Sequence, residues 1–145
     1  RITKYNNLMK KVYIAGPLFD DHERSYLEKI SKILERNSFE TFLPHRDAGL
    51  VKGEFTMKKK RIIFETDMKY LKSADIVVAL LTGRDVDSGT SAEIGYAYAL
   101  NKQLIGINAN NIKVLNNFIW GLFKYGENIV ESLEDFEDYL VKLDD

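Results

Sequence analysis

Short runs of β-branched and apolar residues alternate along this chain with longer amphipathic segments. The segment from Asp75 to Leu81 is almost wholly apolar, which is typical of a central strand that is buried on both faces. From Asp21 to Asn37 the apolar residues recur at spacings of three and four, which predicts a helix with one apolar face. Strands and helices that alternate in this way predict a parallel sheet in an α/β layer fold.

The pattern predicts strands at residues 11–15, 39–43, 75–81, 103–107 and, at the edge of the sheet, 128–130. It predicts helices at residues 21–37, 56–72, 90–101, 114–123 and 132–143, and a polar loop at 45–53. We therefore expect a single domain at residues 10–145, a doubly wound, flavodoxin-like sheet of five parallel strands with helices on both faces. Residues 1–9 are interpreted as an N-terminal extension, either disordered or added ahead of a start at Met9.

The order of the elements also predicts where a ligand binds. In doubly wound sheets, ligands lie beyond the carboxyl ends of the strands, at the point where the strand order reverses. The loops at residues 16–21 and 82–89, which follow the first and third strands, should flank that crevice. Residues with a chemical function are therefore expected in or near these two loops.

Composition narrows the classes of function. The 21 Lys and Arg residues and 22 Asp and Glu residues give a net charge of −1, which offers no general attraction to a phosphate backbone and argues against a nucleic-acid partner. Cysteine is absent, which excludes thiolate metal sites and Cys nucleophiles and favours a reducing, cytoplasmic compartment. No apolar run approaches the ~18 residues of a membrane span. His22 and His45 lack metal-ligand spacing, so no metal is expected.

One acidic residue falls on an otherwise apolar helix face. Asp67 lies four residues from both Ile63 and Leu71, so in a helix its side chain would face the sheet or the crevice. Desolvation there would raise its pKa, which suits a group that holds a proton near neutral pH. The alternative is an acid at the edge of the stripe, or one paired with Lys60 or Arg61.

Two further acids flank the start of the third predicted helix. Glu93 fits a capping box that begins at Thr90, in which its side chain would return to the cap backbone. Its alternative is a first-turn acid that opens on the crevice, kept ionised by the helix dipole as a nucleophile requires. Asp87 is either a turn or helix-cap residue or an acceptor for a substrate hydroxyl. The residues alone leave these alternatives open.

Four features, in order and in register, carry a resemblance to a known family. Residues 87–97, DSGTSAEIGYA, resemble the D-x-G-x-x-x-E-x-G-x-A motif of the nucleoside 2-deoxyribosyltransferase family. Residues 12–19, VYIAGPLF, resemble the family's Y-x-A-G-P-x-F opening, and residues 116–121, NNFIWG, resemble its N-x-x-x-W-G segment. The spacing from Asp67 to Glu93 is also similar. The resemblance runs from about Lys10 to Gly121.

The resemblance implies a double displacement at C1′ of a 2-deoxyribose, without a metal or an organic cofactor. Glu93 would be the nucleophile that forms a covalent deoxyribosyl ester, and Tyr13 would hold its carboxylate through the hydroxyl. Asp67 would protonate the departing base and deprotonate the incoming one. Two carboxyl groups and two inversions are also the logic of retaining glycosidases.

The resemblance further implies substrate-binding positions and partners. Asp87 would bind the sugar 5′-hydroxyl, and Asn116 would come from a neighbouring subunit, which implies a homo-oligomer, either a dimer or a hexamer built of dimers. Nucleosides and nucleobases would be the partners, with neither nucleic acid nor membrane involved. Gly16 and Gly89 are further candidate binding positions. Phe19 and Phe118 would form walls for the base, and the alternative for these two aromatic residues is packing in the core.

A nucleotide N-hydrolase of the same superfamily is the nearest alternative. Relatives of that kind cleave 5′-monophosphates and carry a serine six residues before the nucleophile, where this chain has Asp87. A phosphate, with about two negative charges near pH 7, is disfavoured beside an unpaired carboxylate. Arg46 could offset that charge. Asn116 is likewise typical of the transferases.

A non-catalytic nucleotide-sensing domain on the same sheet is the second alternative. The first loop, Ala15-Gly16-Pro17-Leu18-Phe19, is not a G-x-G-x-x-G fingerprint, and Pro17 removes an amide donor. A sensor also has no need for three acids at the spacing of a transferase. The sequence therefore favours an enzyme.

Overall fold

The computed structural model describes residues 9–48, 53–83, 85–109 and 114–143. The element order is β1 (Lys11–Ala15), α1 (Asp21–Arg36), β2 (Glu40–Phe42), α2 (Pro44–Asp47), α3 (Met57–Ser73), β3 (Ile76–Leu80), α4 (Ser88–Ala99), β4 (Gln103–Ile107), α5 (Asn117–Leu122), β5 (Ile129–Val130) and α6 (Leu133–Leu143). None of the helices in this part of the chain is both long and apolar enough to cross a membrane.

The strands form one parallel sheet in the order β2-β1-β3-β4-β5. The order reverses at β1, which pairs with β2 on one side and with β3 on the other. Tyr13 in β1 lies opposite Phe42 in β2 and Val77 in β3. The predicted flavodoxin-like sheet of five strands is thereby confirmed, and its switch point lies between the carboxyl ends of β1 and β3.

Helices cover both faces of the sheet, so the core has two layers. Helices α1 and α6 pack on the face that carries Val12 and Ile14. Helices α3, α4 and α5 pack on the other face, where Tyr13 and Ala15 point. Because neighbouring residues of a strand point to opposite faces, Tyr13 is directed toward the helices that carry Asp67 and Glu93.

The predicted loop at residues 45–53 and the predicted helix start at residue 114 are wrong for local reasons. The predicted polar loop contains helix α2, one turn long, because Pro44 presets the backbone at the first helical position and the Asp47 side chain accepts a bond from the Leu43 amide at 2.8 Å. The helix predicted from residue 114 begins at Asn117, since Asn116 caps it. Residues 49–52 of the predicted loop, and residues 1–8 of the predicted extension, lie outside the described residues.

Candidate active site

Tyr13 and Glu93 are 80 positions apart in sequence and meet in the fold. The Tyr13 side chain is fully buried, and its hydroxyl donates a hydrogen bond to Oε2 of Glu93. β1 supplies the tyrosine and α4 supplies the glutamate. The pairing that the resemblance implied is therefore present in the structure.

The start of α4 differs from the predicted one. The helix begins at Ser88, and its cap is Asp87, whose Oδ2 accepts bonds from the Thr90 amide at 3.1 Å and from the Thr90 hydroxyl at 3.3 Å. The helix-cap interpretation of Asp87 is confirmed, whereas a capping box from Thr90 to Glu93 is wrong. Glu93 lies in the second turn, where its side chain is free to bond Tyr13. Gly89 fits this cap tightly, because a Cβ there would lie 3.3 Å from Oδ2 of Asp87.

The electrostatics of Glu93 also differ from the prediction. Burial raises its pKa to about 7, the charges of Asp67 and Asp87 act in the same direction, and the hydrogen bond from Tyr13 opposes them. The expectation that the helix dipole keeps this carboxyl ionised is wrong, because desolvation dominates and Glu93 lies beyond the first turn. Burial and the negative charges of Glu93 and Asp67 raise the pKa of Tyr13, so its hydroxyl keeps its proton and acts as a donor.

Asp67 on α3 has the environment that its spacing predicts. Its Oδ1 atom is buried and makes no hydrogen bond to any described residue. Burial raises its pKa to about 6. The alternative in which Asp67 pairs with Arg61 is wrong, because Nε of Arg61 lies 3.4 Å from Oε1 of Glu65 instead.

Asp67 and Glu93 act as a coupled pair of carboxyl groups. Burial raises the pKa of Asp67 to about 6 and that of Glu93 to about 7, and the charge of Asp67 adds to the rise at Glu93, so the pair titrates in two steps with one proton between the two groups over that interval. One proton on two carboxyls provides one carboxylate and one acid. That combination suits nucleophilic attack at one face of a reacting carbon and protonation of a leaving group.

The switch point has a tightly packed floor and a crevice above it. Gly16 follows β1, and a Cβ there would lie 2.6 Å from Cδ2 of Leu27 and 3.2 Å from Cβ of Leu80. A cavity of about 320 Å³ opens between the two predicted loops, lined by Asp20 from one and by Thr82 and Gly83 from the other. The loops therefore flank a crevice as predicted. Its described lining comes from the α1 side of the sheet and does not include the carboxyl pair.

The remaining predicted positions lie at the surface. Phe19 is 79% exposed and Phe118 is 74% exposed, so the core-packing alternative for them is wrong. Asn116 is exposed, and its Oδ1 accepts bonds from the amides of Phe118 at 2.9 Å and Ile119 at 3.2 Å. Within one chain Asn116 is thus a helix cap. Its predicted role in a neighbouring subunit's site stays a prediction.

The guanidinium of Arg46 belongs to a surface network of hydrogen bonds that includes neither Asp67 nor Glu93. Its Nε and one terminal nitrogen bond to the Asp47 carboxylate at 2.9 and 2.8 Å. The other terminal nitrogen bonds to Glu35 at 3.0 Å and to Ser31 at 3.1 Å. The described part of the chain contains no group of three or more His, Asp or Glu side chains placed to hold a metal ion.

Sequence reasoning missed two aromatic residues beside the site. The Phe42 ring stacks on the Tyr13 ring, with centroids 5.4 Å apart, and on the Tyr70 ring, with centroids 4.1 Å apart. The signal was available in part, because Tyr70 lies three residues after Asp67 on the same helix. The strand residue that lies opposite Tyr13 could be identified only from the register of β1 and β2.

Comparison with known proteins identifies the family of the chain. The family described as nucleoside 2-deoxyribosyltransferase matches residues 12–138. The 5-hydroxymethyl-dUMP N-hydrolase of Homo sapiens is 31% identical over 137 residues, which cover 86% of this chain and 76% of that protein.

Two solved structures share the fold. A 2-deoxyribosyltransferase from Bacillus psychrosaccharolyticus has a TM-score of 0.76 at 23% identity, over 89% of this chain and 91% of that one. The CMP N-glycosidase of Clostridium botulinum has a TM-score of 0.59 at 25% identity, over 93% and 99% of the two chains. The similar proteins thus include a transferase, an N-hydrolase and an N-glycosidase.

Proposed function

The chain belongs to the nucleoside 2-deoxyribosyltransferase family, and from this premise we propose that it transfers 2-deoxyribose between nucleobases through a covalent ester on Glu93. Enzymes of this superfamily transfer or hydrolyse glycosyl groups. The observation that carries the proposal is the partly buried contact between the Tyr13 hydroxyl and Glu93, beside the charge of Asp67, whose Oδ1 makes no hydrogen bond to a described residue.

The first half of the reaction needs both carboxyl groups. The Glu93 carboxylate attacks C1′ as the bond from C1′ to the base nitrogen breaks, and Asp67 gives its proton to that nitrogen. Charge builds up on the sugar as an oxocarbenium-like transition state, which a nearby carboxylate stabilises. Tyr13 orients the attacking oxygen by donating to the same carboxylate.

The second half reverses these roles. The incoming base loses a proton to Asp67, its nitrogen attacks C1′, and the ester bond to Glu93 breaks. Each half inverts the configuration at C1′, so the product retains it. Water in place of the second base gives free deoxyribose, so exclusion of water decides between transfer and hydrolysis.

Asp87 favours nucleosides over nucleotides as substrates. Its charge acts on Glu93, so the carboxylate lies in the electrostatic environment of the reacting group. A dianionic 5′-phosphate beside it would be repelled, whereas a 5′-hydroxyl can donate a hydrogen bond. Arg46 does not offset the repulsion, because each of its guanidinium nitrogens is bonded elsewhere.

The similarity to a human 5-hydroxymethyl-dUMP N-hydrolase favours one second candidate, a hydrolase of deoxynucleoside 5′-monophosphates. One experiment separates the two. Incubated with thymidine and adenine, the protein is expected to form deoxyadenosine and thymine, whereas a hydrolase forms free sugar from a 5′-monophosphate. Faster turnover of thymidine 5′-monophosphate than of thymidine would contradict the proposal.

We also propose that a second copy of the chain supplies Asn116 to the site. Exposed apolar side chains on α3, such as Ile62 at 55% and Phe64 at 61% exposure, provide a surface for such an association. Mixing Glu93→Ala and Asn116→Ala variants tests it. Random dimers would regain about a quarter of the intact sites, since half are mixed and one site in each mixed dimer is complete. No recovery would contradict the shared site.

A further inference from the structure

Three aromatic rings form a continuous stack that ends at the carboxyl pair. Tyr13 and Phe42 have ring centroids 5.4 Å apart at an interplanar angle of 26°, and Phe42 and Tyr70 have centroids 4.1 Å apart at 7°. The Lys69 ammonium lies 5.6 Å from the Tyr70 centroid and covers the outer end. The inner end is the Tyr13 hydroxyl, which bonds Glu93.

The stack connects β1, β2 and α3, of which only the two strands are joined by backbone hydrogen bonds. Tyr13 and Phe42 are register partners in β1 and β2, so they point to the same face of the sheet. Tyr70 lies on α3, one turn after Asp67. Every residue of α3 is described, and Leu71 is the one that is buried, so ring contacts form a large part of the attachment of this helix.

We propose that Phe42 and Tyr70 are positioning residues, which fix the plane of the Tyr13 ring and so keep its hydroxyl on the Glu93 carboxylate. The inference rests on the proposed function, in which that carboxylate attacks C1′. A tyrosine ring turns about two side-chain bonds, and a close-packed neighbour on its face removes this freedom. Without Phe42, a space opens beside Tyr13 into which its ring can turn.

Displacement of the Tyr13 hydroxyl has a chemical consequence that ordinary destabilisation lacks. Glu93 faces Tyr13 from β1, Asp67 from α3 and Asp87 from the cap of α4, and Tyr13 is the group that favours its ionised form. A displaced hydroxyl therefore raises the pKa of Glu93. Less nucleophile is then ionised at low pH, while at high pH the ionised fraction recovers.

Phe42→Leu tests this inference, with Phe39→Leu as its matched control. Both phenylalanines are 6% exposed and lie beside or within β2, but Phe39 packs on the opposite face of the sheet. We expect Phe42→Leu to lower kcat about tenfold at pH 6 and less than threefold at pH 8.5, with KM little changed, because one pKa unit is a tenfold change in ionisation. Phe39→Leu should lose less than threefold, equally at both pH values.

A second pair of variants keeps the test decisive if Phe42→Leu does not fold. Tyr70 is 40% exposed, so Tyr70→Leu is expected to fold and to lose kcat about threefold at pH 6, with the loss fading at pH 8.5. Tyr70→Phe keeps the ring and should restore the activity of the unmodified protein. As a reference, Tyr13→Phe should show the same pH dependence in larger measure.

Two results would overturn the positioning role. One is a loss that is uniform with pH and no larger than that of Phe39→Leu. The other is a loss confined to alkaline pH, which would place the effect on the proton of Asp67. If the unmodified protein exchanges no base, the proposed function fails instead, and an NMR titration of Glu93 still decides: its pKa must rise in Phe42→Leu and stay fixed in Phe39→Leu.

Discussion

Two helices begin at the carboxyl edge of the sheet beside the switch point, and each starts at an aspartate that caps it. At α1, Asp20 accepts a bond from the Glu23 amide at 2.8 Å, and the Glu23 side chain returns to the Asp20 amide at 3.2 Å. At α4, Asp87 caps Thr90, but the glutamate lies one turn further along and bonds Tyr13 instead. The same two residue types thus give a closed cap in one place and, in the other, a partly buried carboxyl that bonds a residue of the sheet.

The difference shows that the distance from cap to glutamate decides whether the glutamate bonds its own helix backbone or a residue of another element. Three residues after the cap, a glutamate reaches the backbone and its oxygen is used by an amide. Six residues after the cap, Glu93 is held under the carboxyl end of β1, among Tyr13 and two other acids. Substitutions at equivalent places in the two helices can break or sharpen this comparison.

The largest expected effect is on activity. Glu93→Gln should lower base exchange by roughly three orders of magnitude or more, because the amide cannot form the sugar ester. Glu23→Gln can still bond the Asp20 amide through its carbonyl oxygen and should retain full activity. Initial rates with thymidine and adenine measure both. Equal losses of activity in the two variants would contradict the proposal that Glu93 is the nucleophile and Glu23 only a capping residue.

The next effect is on stability and depends on pH. In the folded protein the pKa of Glu93 rises from 4.5 to about 7, so stability falls as pH rises through that window and the penalty is complete above about pH 7. Glu93→Gln removes this titration. We therefore expect it to be more stable than the unmodified protein by about 1–3 kcal/mol at pH 8 and equally stable at pH 4.5.

Urea denaturation at the two pH values measures this difference, with Glu23→Gln as the control that gains nothing. The same pair of carboxyls predicts a bell-shaped pH profile of activity. Below about pH 6 Glu93 and Asp67 are both protonated, and above about pH 7 both are ionised. If Glu93→Gln gained as much stability at pH 4.5 as at pH 8, ionisation of the buried Glu93 carboxyl would not be the cause of the gain.

The smallest effect compares the two caps. Asp20→Ala and Asp87→Ala should each cost about 1 kcal/mol of stability, since each removes the side-chain oxygen that caps its helix. Asp87→Ala should in addition raise KM for nucleosides, because it removes the proposed acceptor of the 5′-hydroxyl. Melting temperatures and KM values measure the two parts. An unchanged KM in Asp87→Ala would leave Asp87 as a cap alone.

Much of the fold follows from the sequence because the central strands are unusually apolar. Ile76–Leu80 is buried throughout, and the alternation of strands with amphipathic helices then leaves few arrangements of the sheet. The start of α4 was predicted two residues late, because Ser88 and Gly89 are poor helix formers and Thr90 resembles a cap. The side-chain bond from Asp87 outweighs those propensities.

The site could be predicted only where chemistry is local. The position of Asp67 on an apolar stripe predicts a raised pKa, and the structure confirms it. The partner of Glu93 could not be derived from spacing, because Tyr13 lies 80 residues away, and the resemblance to a family supplied it. The pKa of Glu93 was predicted in the wrong direction, since burial by tertiary contacts is invisible in a helix pattern.

One measurement tests the ester most directly. The protein is mixed with a 2-deoxynucleoside, quenched in acid within the first turnovers, digested and examined by mass spectrometry, with Glu93→Gln treated alongside. We expect the peptide that contains Glu93 to gain the mass of one deoxyribosyl group, and the variant peptide to gain none. Base exchange without any such adduct, or an adduct on Asp67 instead, would contradict the proposed mechanism.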